Sequence, residues 1–272
     1  MQSKQKKVTK KMGIIAKGIR WALNAIPRPW LQRMAGWAVP LLGVAYVGRG
    51  RVCPVCNARR RQFLPYGYVT SRKDALCPSC LSLERHRLLW LWLTRETTLF
   101  ADRPTILHIA PEVNLMKRLK RHYKAVSERY ITADLESPLA NMHFDVQAIP
   151  MKDESIDVII CNHLLEHVKS DRKALSELYR ILRPGGWGVL LSPVDYEREH
   201  TFEDDSVTEP SERARLFGQY DHRRIYGRDY TKRLSEAGFI AEEIDYKAEF
   251  TEQQCEEYSL GYDHLYIVRK PK

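Results

Sequence analysis

Acidic residues are missing from the first quarter of this chain. Residues 1–73 hold 16 Lys or Arg and no Asp or Glu, and Asp74 is the first acid. The absence confines the formal net charge of +10 to that quarter, because residues 74–272 set the other 28 Lys and Arg against all 34 Asp and Glu. It excludes a uniformly basic body and directs any anionic partner, phospholipid headgroups or nucleic acid, to the amino-terminal part. Long apolar runs are missing too. The longest uncharged stretch, Met34–Gly48, is interrupted by Pro40 and falls short of the ~20 residues that span a bilayer. No small-residue cleavage site follows an early apolar core, so a secretory signal is not expected and the expected location is cytoplasmic. A hydrophobic content of 44% and 272 residues suit a folded α/β domain with a small appendage, or two modest domains.

Residues 13–26 read as a basic amphipathic helix, with Ile14, Ile15, Ile19, Ala22, Leu23 and Ile26 on one face and Lys17, Arg20 and Asn24 elsewhere. The tryptophan-bearing segment after it suits a helix lying in a membrane surface, so residues 1–50 form a basic arm that is peripheral at the inner face of a membrane or packed on the body. From Leu81 to Phe100 a helix is expected, buried over the apolar run Leu88–Leu93. Regular alternation follows: strands at Thr105–Ile109, Tyr130–Ala133, near Phe144–Ala148 and at Ile156–Asn162; helices at Val113–Tyr123 and after Ser170; a strand from Trp187. "RPGG", Arg183 to Gly186, reads as the stop of the second helix. A helix ending at Gly238 and two strands close the chain. Near-continuous apolar strands between helices predict a parallel sheet covered on both faces.

Cysteine is sparse but arranged. Cys53, Cys56, Cys77 and Cys80 give C-x2-C-x20-C-x2-C, while Cys161 and Cys255 stand alone. Two thiolate knuckles complete a closed tetrahedral site, which points to structural Zn2+ rather than catalysis. Residues 51–82 form this module, with Arg59, Arg60, Arg61, Arg72 and Lys73 available to an anionic partner. His86, just beyond it, reads as a helix surface residue.

The segments "TILHIAPE", "ITADLE", "FDVQAIPMKDESIDVIICNHLLEHV" and "LYRILRPGGWGVLLSPV" follow one another over about ninety residues between 104 and 194. In that order they resemble class I S-adenosylmethionine-dependent methyltransferases of the type 11 kind, a bacterial subgroup with a four-cysteine zinc module. The resemblance implies a Rossmann-like seven-stranded sheet with helices on both faces over residues 83–272, binding S-adenosyl-L-methionine. The family's first strand ends in an acid and a Gly-x-Gly turn. Here His108 stands in the acidic position and Ala110, Pro111 and Glu112 in the turn, so either Glu112 takes the ammonium contact or that contact is lost. His108 is expected neutral. Asp134, with Leu135 beside it, matches the ribose-binding acid. Asp145 before Val146 matches the adenine-amine acceptor, and Asn162 and His163 end the fourth strand at the ligand edge. Glu166 and His167 read as local scaffolding.

The segment 195–228 is an insertion on the acceptor side. It brings Asp221, His222, Arg223, Arg224 and Tyr226 together, and reads either as a solvated loop or as a substrate lid with a histidine base. His163 and His222 are the candidate catalytic bases, because neutral imidazole is basic near pH 7. Three functions remain open: in-line methyl transfer to a small molecule, sugar or lipid-linked glycan acceptor; an RNA methyltransferase using the module and arm, less favoured because no aromatic stacking platform is evident; and an inactive scaffold.

Overall fold

The computed structural model of the chain describes residues 43–67 and 71–272. The expected amphipathic helix at 13–26 lies outside the described residues. The amino-terminal part pairs β1 (Val47–Val52) with β2 (Arg59–Arg60), and β3 (Leu64–Tyr66) with β4 (Arg72–Leu76). Helix α1 (Glu84–Arg95) and the one-turn α2 (Leu99–Asp102) lead into β5 (Ile106–Ile109), all four of whose residues are buried. Then come α3 (Val113–His122), β6 (Tyr130–Asp134), β7 (Met142–His143), β8 (Ile156–Asn162), α4 (Asp171–Ile181) and β9 (Leu182–Leu191). The remainder holds β10 (Phe202–Glu203), α5 (Pro210–Phe217), β11 (Arg224–Ile225), α6 (Tyr230–Glu236), β12 (Ile240–Ile244), α7 (Glu252–Tyr258) and β13 (Leu265–Arg269).

Seven strands make one sheet in the order β12-β13-β9-β8-β5-β6-β7. The five from β7 to β9 are parallel, and β13 runs antiparallel between β9 and β12. The sheet is therefore mixed where a parallel one was expected. The chain enters at β5, moves outward through β6 and β7, then returns to β5's other side with β8. Such a reversal opens a crevice at the carboxyl ends of the two central strands, where ligands bind in open α/β sheets. Buried Leu115, Met116 and Leu119 of α3, and Ala174, Leu175, Leu178 and Ile181 of α4, supply the apolar stripes that seat the helices. The Ser170 hydroxyl caps α4 by accepting from the Lys173 amide.

Several expectations need correcting. The third strand is β7, displaced from Phe144–Ala148, because Asp145 accepts from the Gln147 amide and curls that stretch into a turn. The helix expected over 81–100 breaks after Arg95, where Thr97 turns its hydroxyl back onto the Leu93 carbonyl. Helix α4 ends at Ile181, just before "RPGG", and Arg183–Gly186 also bulge inside β9. There the pairing with β8 jumps from Ile156↔Leu182 to Val158↔Trp187. Gly185 sits at φ +77°, and a Cβ at Gly186 would lie 2.8 Å from the Asp157 carbonyl oxygen. His86 is buried rather than on the surface.

One arginine ties the cysteine-bearing part to the sheet. Arg87 of α1 is fully buried and donates to the carbonyls of Ala75 and Ser82 on one side and Ser259 on the other, at 2.6–3.0 Å. Its guanidinium also lies over the Phe63 ring. Replacing it by methionine keeps the apolar stem and strands three buried carbonyls. The Arg87→Met variant should lose about 3 kcal/mol of stability. Urea unfolding checks this; an unchanged midpoint would exclude the tether.

Candidate active site at the carboxyl edge of the sheet

The turn after β5 is built without glycine. Ala110 adopts φ +48°, the left-handed conformation a glycine would supply, and its N–H is held by the Ala133 carbonyl of β6 at 2.8 Å. For a residue with a Cβ this costs about 1–2 kcal/mol. Pro111 follows with its fixed φ, and Glu112 becomes the residue that precedes α3.

The Glu112 side chain turns inward. One oxygen accepts from His108 Nε2 at 3.0 Å, and the other accepts from the Asn162 amide at 3.0 Å and lies 3.7 Å from His86 Nε2. His108 is wholly buried, and its second nitrogen meets the Tyr130 hydroxyl at 2.8 Å. His86 Nδ1 accepts from the Leu83 amide and the Asn114 side chain, which puts its proton on Nε2, toward Glu112. Burial by itself would raise the Glu112 carboxyl; the His108 hydrogen bond and the neighbouring His86 outweigh it and hold the group well below the usual carboxylate range. Burial pushes His86 down to about 3, against the pull of Glu112. His108 thus stands behind Glu112 rather than in the crevice.

The other predicted cofactor residues sit along the same edge. Asp134 ends β6, and its Oδ1 accepts from the amides of Glu136 and Ser137. Leu135 is exposed beside it, 64% open to solvent. Asp145 is exposed and bound to Gln147, and Val146 is buried under it. Asn162 ends β8 with its Oδ1 buried and unpartnered. His163 follows at φ +51°, its N–H on the Leu191 carbonyl and its Nε2 buried without a partner.

Beside this edge lies a cavity of about 900 Å³. Its lining includes His163, Glu166, His167 and Ser192, Arg72 and Lys73 of the cysteine module, and the stretch Ser259–His264. Glu166 is buried, accepts from the Ser192 hydroxyl at 3.0 Å and lies 3.5 Å from His163 Nδ1. Burial opposes its ionisation, yet the His163 contact keeps its carboxyl below the ordinary range. His167 lies 3.4 Å from the Asp221 carboxylate, and its ring meets the His222 ring edge-on at 4.7 Å. His222 Nδ1 is 3.0 Å from the Phe217 carbonyl, so it carries the proton and leaves Nε2 open. Burial lowers the His222 pKa.

The insertion is solvated in its first part, where none of residues 195–216 is buried, and clamped to the body in its second. Phe217, Tyr226 and Arg224 are buried, and Arg224 donates to the carbonyls of Leu165, Val168 and Lys169. Tyr226 and Arg233 both bond Asp171, at the first turn of α4. This clamp fixes the "LLEHV" segment from outside. Glu166 and His167, expected as local scaffolding, both line the cavity. Their sequence signal is the acid–histidine pair just after a buried strand.

In the amino-terminal module the four sulfurs of Cys53, Cys56, Cys77 and Cys80 all lie within 4.8 Å of one another. Cys53 and Cys80 are 3.7 Å apart, Cys56 and Cys77 3.8 Å. Each knuckle is closed by a left-handed residue, Asn57 or Leu81, whose N–H returns to the first cysteine's carbonyl. The basic residues expected to serve a partner are partly engaged: Arg72 pairs with Glu84 and Arg60 with the Ser79 hydroxyl. No helix among the described residues is long and apolar enough to cross a membrane.

His86 should dominate the acid response. Its folded-state pKa, about 3, lies below the unfolded value of about 6.5, so between these the unfolded chain holds the extra proton. Stability is full above pH 7 and falls on acidification through that window, by a few kcal/mol at most. Urea unfolding at pH 7 and pH 5 should show the loss in the native chain and a smaller one in His86→Gln. Equal slopes would contradict the assignment.

Residues 95–190 match the family model described as a methyltransferase domain. A protein of Mycolicibacterium smegmatis described as "Probable S-adenosylmethionine-dependent methyltransferase" is 25% identical over 118 residues, 43% of this chain and 39% of that one. An arsenite methyltransferase of Halobacterium salinarum is 33% identical over 108 residues, 40% of this chain and 26% of that one. The aligned stretches thus span at most about two-fifths of these curated relatives. A solved S-adenosylmethionine-dependent methyltransferase from Mesorhizobium loti is 15% identical, with 67% of this chain and 98% of that one covered, at a TM-score of 0.44. Residues 95–190 are thus similar to a methyltransferase domain.

Proposed function

We propose that residues 83–272 form an S-adenosylmethionine-dependent methyltransferase. The observation that carries the reading is the buried, unpartnered Asn162 Oδ1 at the end of β8, beside the Glu112 carboxylate. A buried acceptor without a donor is costly, and a ligand ammonium would satisfy it. Asn162 and Glu112 would hold the methionine end, Asp134 Oδ2 the ribose hydroxyls, and Asp145, Val146 and Leu135 the adenine. When bound, the cofactor supplies a methyl group already activated on a sulfonium.

The acceptor would sit in the 900 Å³ cavity, within the range of about 300–1,000 Å³ typical of small-ligand sites. Its size and its lining of both acidic and basic side chains favour a polar small molecule, a sugar or the headgroup of a lipid-linked glycan over RNA. His163 suits the base: Glu166 orients Nδ1, leaving Nε2 to take the acceptor proton as the nucleophile displaces the sulfur. His222 is a second candidate for that proton only while its Nε2 binds nothing else. Residues 1–50 would supply the anionic-membrane contact.

The module fits structural zinc. With Zn–S bonds of ~2.3 Å, the edges of a tetrahedron are ~3.8 Å, close to the two sulfur separations seen.

Asp134→Ala should weaken S-adenosylhomocysteine binding about 100-fold, from the loss of charge-assisted bonds. His163→Asn tolerates the left-handed backbone and should bind normally but transfer methyl at least tenfold more slowly. Calorimetry reads the first; methyl-labelled cofactor incubated with fractionated cell extract reads the second. Absence of any S-adenosyl binding in the native chain would instead favour an inactive scaffold.

A further inference from the structure

We propose that Glu166, His167 and His222 bind a divalent transition-metal ion on the wall of the acceptor cavity, a second metal centre distinct from the four cysteines. One donor atom from each residue lies within 4.8 Å of the others. Ligands bound at about 2.1 Å stand ~3–3.5 Å apart, so closure needs side-chain shifts of about an ångström rather than backbone rearrangement. Two histidines and one carboxylate form a facial ligand set that leaves coordination positions open.

Three further observations point the same way. Glu166 is buried, and among the described residues only an imidazole, His163 at 3.5 Å, pairs with it, with no lysine or arginine. Buried carboxylates are normally paired with a cation or bound to a metal. Each histidine is also held from behind, as metal ligands are: His222 Nδ1 donates to the Phe217 carbonyl, and His167 faces the Asp221 carboxylate. Ser192 does the same for the carboxylate, donating to Glu166 Oε2. Finally, all three residues line one cavity, so the open positions face space a ligand can fill. On the methyltransferase reading, on which only this role rests, the ion would bind an oxygen of the acceptor and ease the loss of its proton to His163.

The full-length protein, stripped of metal, is titrated with cobalt(II) and with zinc, with metal content measured after desalting. Cobalt on the cysteines gives an intense thiolate charge-transfer band; cobalt on Glu166, His167 and His222 gives only weak ligand-field absorbance. The native chain should take up an equivalent of this second type besides the thiolate one. His222→Ala should lose it with the thiolate band intact, and so should His167→Gln, a milder change at a partly exposed residue. Binding at the thiolate site alone would overturn the proposal, as would a second equivalent that survives both substitutions. Calorimetry with S-adenosylhomocysteine on the same samples separates a failed metal site from a failed methyltransferase assignment, because the uptake of metal needs no cofactor.

Discussion

A carboxylate drawn out of water at the head of α3 governs the upper half of this molecule. Glu112 can stay ionised there only if groups from elsewhere meet it: His108 from β5 and Asn162 from β8 donate to it, and His86 from α1 brings its Nε2 to 3.7 Å, beyond hydrogen-bond distance. Meeting one charge therefore fixes the first helix, the central strand and its neighbour across the topological reversal in a single geometry. His86 is followed in α1 by Arg87, which holds the cysteine module. The module and the crevice are consequently linked through two adjacent residues on one helix.

A second buried ionic cluster does for the insertion what Glu112 does for the crevice. Asp171 receives Arg233 and the Tyr226 hydroxyl, while Arg224 reaches across to three carbonyls before α4. Buried ion pairs contribute little net stability once desolvation is counted, but they specify position sharply. What they position is the wall bearing Glu166, His167 and His222. The cavity is thus walled by the strand ends, the clamped insertion and the cysteine module, each held by charge rather than by apolar packing alone.

The glycine-free turn after β5 makes sense within this arrangement. Without glycine, Ala110 still takes the left-handed backbone because the Ala133 carbonyl and Pro111 constrain it from both sides. The acid stands four residues after position 108, at the N-cap of α3. His108 is that acid's hydrogen-bond donor.

Much of this could be read from residue order. The buried strands Ile106–Ile109 and Ile156–Asn162, the Ser170 cap and the paired cysteines are local signals: periodicity, side-chain capping and short spacing act within a few residues. The burial of His86, the cavity-facing pose of Glu166 and His167, the bulge at "RPGG" and the burial of Arg224 were not legible. Each depends on a partner distant in sequence: Glu112 for His86, Ser192 for Glu166, Asp157 for Gly186, and the carbonyls of residues 165–169 for Arg224. The sequence by itself determined which segments form strands and helices and where thiols gather. Only the tertiary structure decided which charges are buried together, because the cost of desolvating a group is set by every chain segment that closes over it.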